Sequence, residues 1–231
     1  MPHHLQRQIE QLKKALLSIG ALTEEALHGA ITAVQNRDPD QAQAVIDGDA
    51  RIDQAEIDFE EECLHTLALH QPVAFDLRFV VAVLKINNDL ERIADLAVNI
   101  AEQATFLSSE SRVEEVPFDL PGMSRKVELM LRKSLDAVVN VDAEQAEEIR
   151  RLDDEIDAIH RGMYEKVTEL IRQHPDEVEQ MIHMLSLSRQ LERIADHAVN
   201  IAEDVLYMAK GQIFRHAGLH GRQQEEAASG E

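Results

Sequence analysis

LERIADLAVNIAE at 90–102 and LERIADHAVNIAE at 191–203 are one stretch of thirteen residues written twice, differing only at Leu96 against His197. Leu90, Ile93, Ala97 and Ile100 recur every three or four residues, the spacing of one helix face. The polar positions repeat too. Asn88, Glu91, Asp95, Asn99 and Glu102 follow steps of three, four, four and three, and Arg189, Glu192, Asp196, Asn200 and Glu203 repeat them. Each helix therefore carries a polar stripe flanking its apolar face. A helix core tolerates volume-conserving apolar exchange, so near-identity on both faces asks for a role beyond core filling.

Outward from the first copy, Phe75, Phe79 and Leu84 extend the same helix back to a break at Gln71 and Pro72. Before that break, Asp38, Pro39 and Gln41 supply an N-cap, a proline at the first helical position and a capping-box partner for a helix running to about His70. Leu5, Ile9, Leu12, Leu16, Ile19, Leu22, Ala26, Ala30 and Ala33 mark one face of a helix ahead of it, ended by Asn36 and Arg37. The pattern then restarts. Val127, Leu131, Leu135, Val138 and Val141 mark a fourth helix, Asp142 and Gln145 repeat the capping box, and His174 and Pro175 repeat the break. Residues 24–60 set on 128–164 give 11 identities in 37, Asp38 on Asp142 and Asp53 on Asp157 among them. The chain is thus an internal duplication. The expected architecture is all-α: a three-helix bundle over 1–106, a linker over 107–122, a second bundle over 123–210 and a frayed tail over 211–231.

Composition narrows the function. Of 231 residues, 44% are hydrophobic and only 15 are Gly or Pro (9 + 6), as in a helical globular protein. Net charge is 23 − 44 = −21, which disfavours a nucleic-acid partner and favours cations and basic surfaces. Cys63 is the one cysteine, which excludes an intramolecular disulfide and suits a reducing compartment. The longest apolar run, Phe79–Leu84, is six residues, whereas a membrane span needs about 20. The opening MPHHLQRQIEQLKK lacks the apolar stretch of a secretory signal. A cytoplasmic protein is expected.

The repeated acids converge. Asp49 lies 23 residues before Pro72 and Asp95 lies 23 after it; Asp53 lies 19 before and Glu91 19 after. An antiparallel hairpin brings these four level. Asp153 and Asp196 lie 22 before and 21 after Pro175, and Asp157 and Glu192 lie 18 before and 17 after. Clustered carboxylates raise one another's pKa unless a positive charge compensates them. An oxygen-rich set suits hard or intermediate divalent and trivalent metals, with Asn88, Asn99 and Glu102 or their counterparts as further ligands or outer partners. The competing reading is a salt-bridge network built on Arg92 and Arg193. His197, beside Asp196, is either a further ligand or a half-buried hydrogen-bonded histidine. For the Glu-x-x-His pairs that a ferritin-like carboxylate-bridged oxidase or storage protein uses on two helices, the candidate is Glu62 and His65, which reads as a coincidence of a helix surface. No nucleophile constellation, glycine-rich phosphate loop or Gly-x-Ser-x-Gly is present, so an enzyme is not expected.

With QPVAFDLR at 71–78 and Asp49-x-x-Ile52-Asp53 ahead of them, the tandem motifs resemble the PhoU family of phosphate-transport accessory proteins, over roughly residues 5–210. Ala94 and Ala195 stand where that family's motif usually has glycine. The resemblance implies two three-helix bundles side by side with pseudo-twofold symmetry. It implies multinuclear iron or zinc clusters, one held by Asp49, Asp53, Glu91 and Asp95, the other by Asp153, Asp157, Glu192 and Asp196. It further implies a cytoplasmic, often dimeric adaptor between the ATPase of the phosphate ABC transporter and a sensor histidine kinase, damping both by contact and not by turnover. Arg78 is a suspected contact residue.

Overall fold

The computed structural model describes residues 2–110, 113 and 115–211. The described residues form six long helices: α1 (Pro2–Asn36), α2 (Pro39–His70), α3 (Ala74–Ser109), α4 (Leu120–Asn140), α5 (Ala143–Gln173) and α6 (Val178–Lys210). There is no strand among the described residues. The margins of the 107–122 segment are helical, α3 ending at Ser109 and α4 starting at Leu120. Of the expected 211–231 tail, all but Gly211 lies outside the described residues.

The helix boundaries come from local chemistry that the duplication copied. Asp38 Oδ1 accepts the amides of Asp40 and Gln41, each at 3.0 Å, and Asp142 Oδ1 accepts those of Glu144 and Gln145 at 3.0 and 3.1 Å. The expected capping-box partners, Gln41 and Gln145, thus give backbone amides to the caps. The return bond is made differently: the Asp38 amide donates to Ala33 at 2.9 Å and the Asp142 amide to Ala137 at 3.0 Å, so each cap is sewn to the preceding helix. To turn there the chain passes through Arg37 and Val141, both left-handed at φ 57° and 51°. That conformation costs a non-glycine residue about 1–2 kcal/mol, and both repeats sustain it at the same place. The second break is a 3₁₀ turn, Pro175–Glu177, which delays α6 to Val178.

α1 packs on α2 and α3, α4 and α5 pack on α6, and α3 and α6 pack against each other at the centre. Cross-helix pairs fix that central register. Lys85 meets Asp204, Asp89 meets His197 and Asn200, and Gln103 meets His183, so numbers rise on one helix as they fall on the other. The helices are antiparallel about a middle where Ile93 and Ile194 are fully buried. Ala94 and Ala195 are buried as well, so neither β-carbon is excluded. One continuous apolar core runs through both bundles, and a small second one, Met163, Val167, Leu170 and Met181, closes the α5–α6 end.

α1 buries a wider face than its periodicity suggests. Leu27, Ile31 and Val34 are buried while Leu22 and Ala26 are only half-buried. The helix touches α2, α3 and α4 together, so one stripe cannot serve it. At the α4 contact, a β-carbon on Gly20 would sit 2.8 Å from Leu135 Cδ2.

Candidate functional site

The α2–α3 hairpin brings one set of acids together and the α5–α6 hairpin brings the other. On the first face, burial pushes the Asp49 carboxyl above its usual range, and repulsion from Asp53 and from Asp95 across the hairpin adds to it. Burial likewise raises Glu91, with Asp95, Glu56 and Asp53 pushing the same way and Arg92 opposing. The four sequence candidates therefore share one electrostatic environment. Arg92 answers part of it, lying 3.4 Å from Glu91 and 3.1 Å from Asp95.

The second face is more strongly perturbed. Burial, followed by Asp196, Asp157, Asp154 and Glu192, pushes Asp153 up to about 7. Asp196, although open to water on one side, is pushed up to about 6 by desolvation and then by Glu192 and Asp157, against His197 and Arg193. Glu192 is raised by burial and Asp157, with Arg189 and Arg193 opposing. Asp153 Oδ1 is buried without a hydrogen-bond partner. A buried carboxylate oxygen with no donor is costly, and a cation is the ordinary remedy.

As the side chains stand, no three Asp, Glu, His or Cys groups among the described residues close round one point to hold a metal ion. Where the heads point instead is visible: Glu91 and Asp95 turn to Arg92, and Asp157 lies 3.4 Å from Arg161. The salt-bridge reading and the carboxylate cluster thus coexist on one face, with half-exposed side chains free to choose between partners. The donor set is all oxygen, which suits hard and intermediate cations.

Sequence reasoning missed one pair at each site. Asn87 Nδ2 donates to Glu56 Oε1 at 2.9 Å, and at the equivalent place His160 Nδ1 and Ser188 Oγ are 3.1 Å apart. Glu56 stands one turn beyond Asp53, and His160 one turn beyond Asp157. Burial and nearby acids, Glu60 and Asp53, raise Glu56, while burial and Arg189 lower His160. The alignment that sets residue 53 on 157 also sets 56 on 160, but unlike residues hid the correspondence.

Other candidates fall elsewhere. His197 Nδ1 is 2.8 Å from Asp89 Oδ1, which also accepts from Asn200 at 3.2 Å, so it is the hydrogen-bonded histidine of the two readings. Glu62 accepts from Gln8 of α1 at 3.2 Å, away from both clusters. Cys63 is fully buried and its thiol is pushed up to about 12 by burial. The Arg78 guanidinium packs beside Gly211 at the end of α6, where a β-carbon would lie 3.7 Å from its Cζ.

The duplicated helical fold has relatives among known proteins. The PhoU domain model matches residues 16–104 and again 120–205. The phosphate-specific transport system accessory protein PhoU homolog of Pseudomonas putida is 34% identical over 223 residues, 95% of this chain and 87% of that one. The phosphate-specific transport system accessory protein PhoU of Escherichia coli K12 is 32% identical over 211 residues, 91% of this chain and 87% of that protein. The crystal structure of PhoU from Pseudomonas aeruginosa superposes with a TM-score of 0.87 at 31% identity, over 90% of this chain and 99% of its own. That of the phosphate transport system regulatory protein PhoU from Streptococcus pneumoniae gives 0.80 at 28% identity, over 90% and 98%.

Proposed function

The chain belongs to the PhoU family, and from that premise we propose that it is a cytoplasmic regulator of phosphate uptake and of the phosphate-starvation response. In this reading it acts as a homodimeric adaptor between the ATPase subunit of the phosphate ABC transporter and its sensor histidine kinase, and restrains both. It works by binding. A protein can shift a partner between conformations only by binding them unequally, which needs surfaces and no active site. No helix of the described residues is long and apolar enough to cross a membrane.

The observation that carries the reading is the pairing of two matched acidic faces on a fold duplicated within one chain. Asp49, Asp53, Glu91 and Asp95 would hold one metal cluster, and Asp153, Asp157, Glu192 and Asp196 the other. Iron or zinc is the metal that the family resemblance implies for these clusters. A cation would supply the missing partner of Asp153 Oδ1 and offset the burial and carboxylate repulsion that raise Asp153 and Asp196. It would compete with Arg92 for Glu91 and Asp95.

Two measurements test this. Purified chain should co-purify with the ATPase subunit and with the kinase's cytoplasmic part, and should show no turnover with oxygen or hydrogen peroxide. Elemental analysis beside a variant with Glu91, Asp95, Glu192 and Asp196 changed to Ala should find metal in the wild type and little in the variant. A wild type that stays metal-free under replete conditions would leave these acids as salt-bridge partners.

A further inference from the structure

A cleft of about 480 Å³ opens where the ends of four helices meet. Val34 of α1, Leu107 of α3, Leu120 of α4 and Met184 of α6 wall it, with Phe118 of the connecting segment beside them. Protein interiors leave few spaces larger than a water molecule, and about 300–1,000 Å³ is the size of a small-molecule site. Both repeats contribute walls, and none of the eight clustered carboxylates does.

The duplication supplies the comparison. The register that sets 24–60 on 128–164 and 90–102 on 191–203, carried along the same helices, puts Val34, Leu120 and Gln180 on Val138, Leu16 and Phe79. Those three meet at the mirror position, where Phe79 is fully buried and the space left is about 10 Å³. A phenyl ring closes one place, whereas at the other a glutamine stands in the wall and the space stays open. The fold itself therefore does not require the cleft.

Gln180 is the buried polar group of this wall, 6% exposed. Its Nε2 donates to Glu110 Oε2 at 3.3 Å, while its Oε1 is buried with no donor to accept from. An acceptor enclosed by apolar walls without a donor is costly, so its presence where the other repeat has phenylalanine asks for one. The charged groups are already engaged. Of the described residues lining the cleft, Arg37 and Asp119 carry charge. Arg37 Nη2 donates to the carbonyls of Leu107 and Glu110 at the end of α3, and Asp119 Oδ1 accepts the Gly122 amide at 3.0 Å in capping α4. The occupant that fits is neutral, mostly apolar and carries a hydrogen-bond donor.

We propose that this cleft binds a small, neutral, mostly apolar molecule whose N–H or O–H group donates to Gln180 Oε1. Contact with the apolar walls supplies affinity and the hydrogen bond fixes orientation. Because α1 and α3 belong to one repeat and α4 and α6 to the other, the bound molecule holds the two repeats together and stabilises the folded chain.

The test is a fluorescence titration of the full chain with three naphthalene probes. 2-Naphthol has a donor, 2-methoxynaphthalene has the same ring without one, and 2-naphthoate carries a negative charge. 2-Naphthol should bind saturably and about three- to tenfold more tightly than 2-methoxynaphthalene, the factor one net hydrogen bond makes. 2-Naphthoate should bind more weakly than either, because its charge meets no free cation. Q180M keeps the length of the side chain and removes the acceptor, so it should bind the two neutral probes equally. Q180F restores the residue of the mirror position and should abolish saturable binding of both. Each variant removes a buried acceptor without a donor, so neither should melt below the wild type. Saturating 2-naphthol should raise the melting temperature of the wild type and leave that of Q180F unchanged. A wild type that binds neither neutral probe, or that binds 2-naphthoate most tightly, would overturn the proposal. So would 2-naphthol binding that Q180F leaves intact, which would put the probe elsewhere on the chain. Should Q180F fail to fold, Q180M decides alone: a preference for 2-naphthol that survives in it overturns the proposal.

Discussion

Asp153 sets out the site at the scale of one residue. Its carboxyl, at about 7, holds a proton that the unfolded chain, with its usual value of 3.8, has already released. The folded state therefore binds more protons between those values, and stability falls as pH rises from about 4 to about 7. Asp196, at about 6, acts in the same direction over a shorter window. Metal-free Asp153→Asn is thus expected to melt above the wild type at pH 7.5, by about 2–4 °C if the relief is worth about 1 kcal/mol. The difference should vanish near pH 4. A divalent cation should raise the wild-type melting temperature at pH 7.5 and raise the variant's less. Calorimetry across pH, with and without metal, reads all three. The eight carboxylates were legible from counting either way from two prolines, because equal helical rise makes sequence distance from a turn a spatial coordinate. Glu56 and His160 were not, because each answers a neighbour across the hairpin, Asn87 or Ser188, that no periodicity selects.

At the scale of the element, the caps decide where helices begin. Asp38 and Asp142 each satisfy two orphan amides, so Asp38→Ala and Asp142→Ala should each cost about 1 kcal/mol in chemical denaturation, within a range of about 0.5–2. Similar losses are expected, since the two caps have nearly the same geometry. The cap residues could be read from sequence because Asp before a helical pattern has one strong local use. The sewing of each cap amide to the preceding helix could not, since it depends on Arg37 and Val141 turning left-handed, which neither residue type signals. The breadth of α1's buried face escaped for a similar reason: it is set by how many helices surround it.

At the scale of the molecule, the two repeats are not two independent bodies. One core passes between them through α3 and α6, and the buried carboxylate of Asp204 reaches Lys85 across that joint at 3.2 Å. Ile194→Ala at its centre should therefore cost about 2–5 kcal/mol and lower one shared unfolding transition, read by circular dichroism and by hydrogen exchange in both halves. Two separated transitions would show that each bundle stands alone. The duplication itself was legible from the repeated motif, but which faces the bundles share was not, because Lys85, Asp89 and Asp204 look like surface charges until their partners are known. The central claim, regulation of phosphate uptake, is tested most directly in the native host by deleting the gene in phosphate-replete medium and measuring a phosphate-starvation reporter. The expected result is a reporter switched on despite ample phosphate and silenced again by the wild-type chain; a reporter that stays silent in the deletion strain would contradict the account.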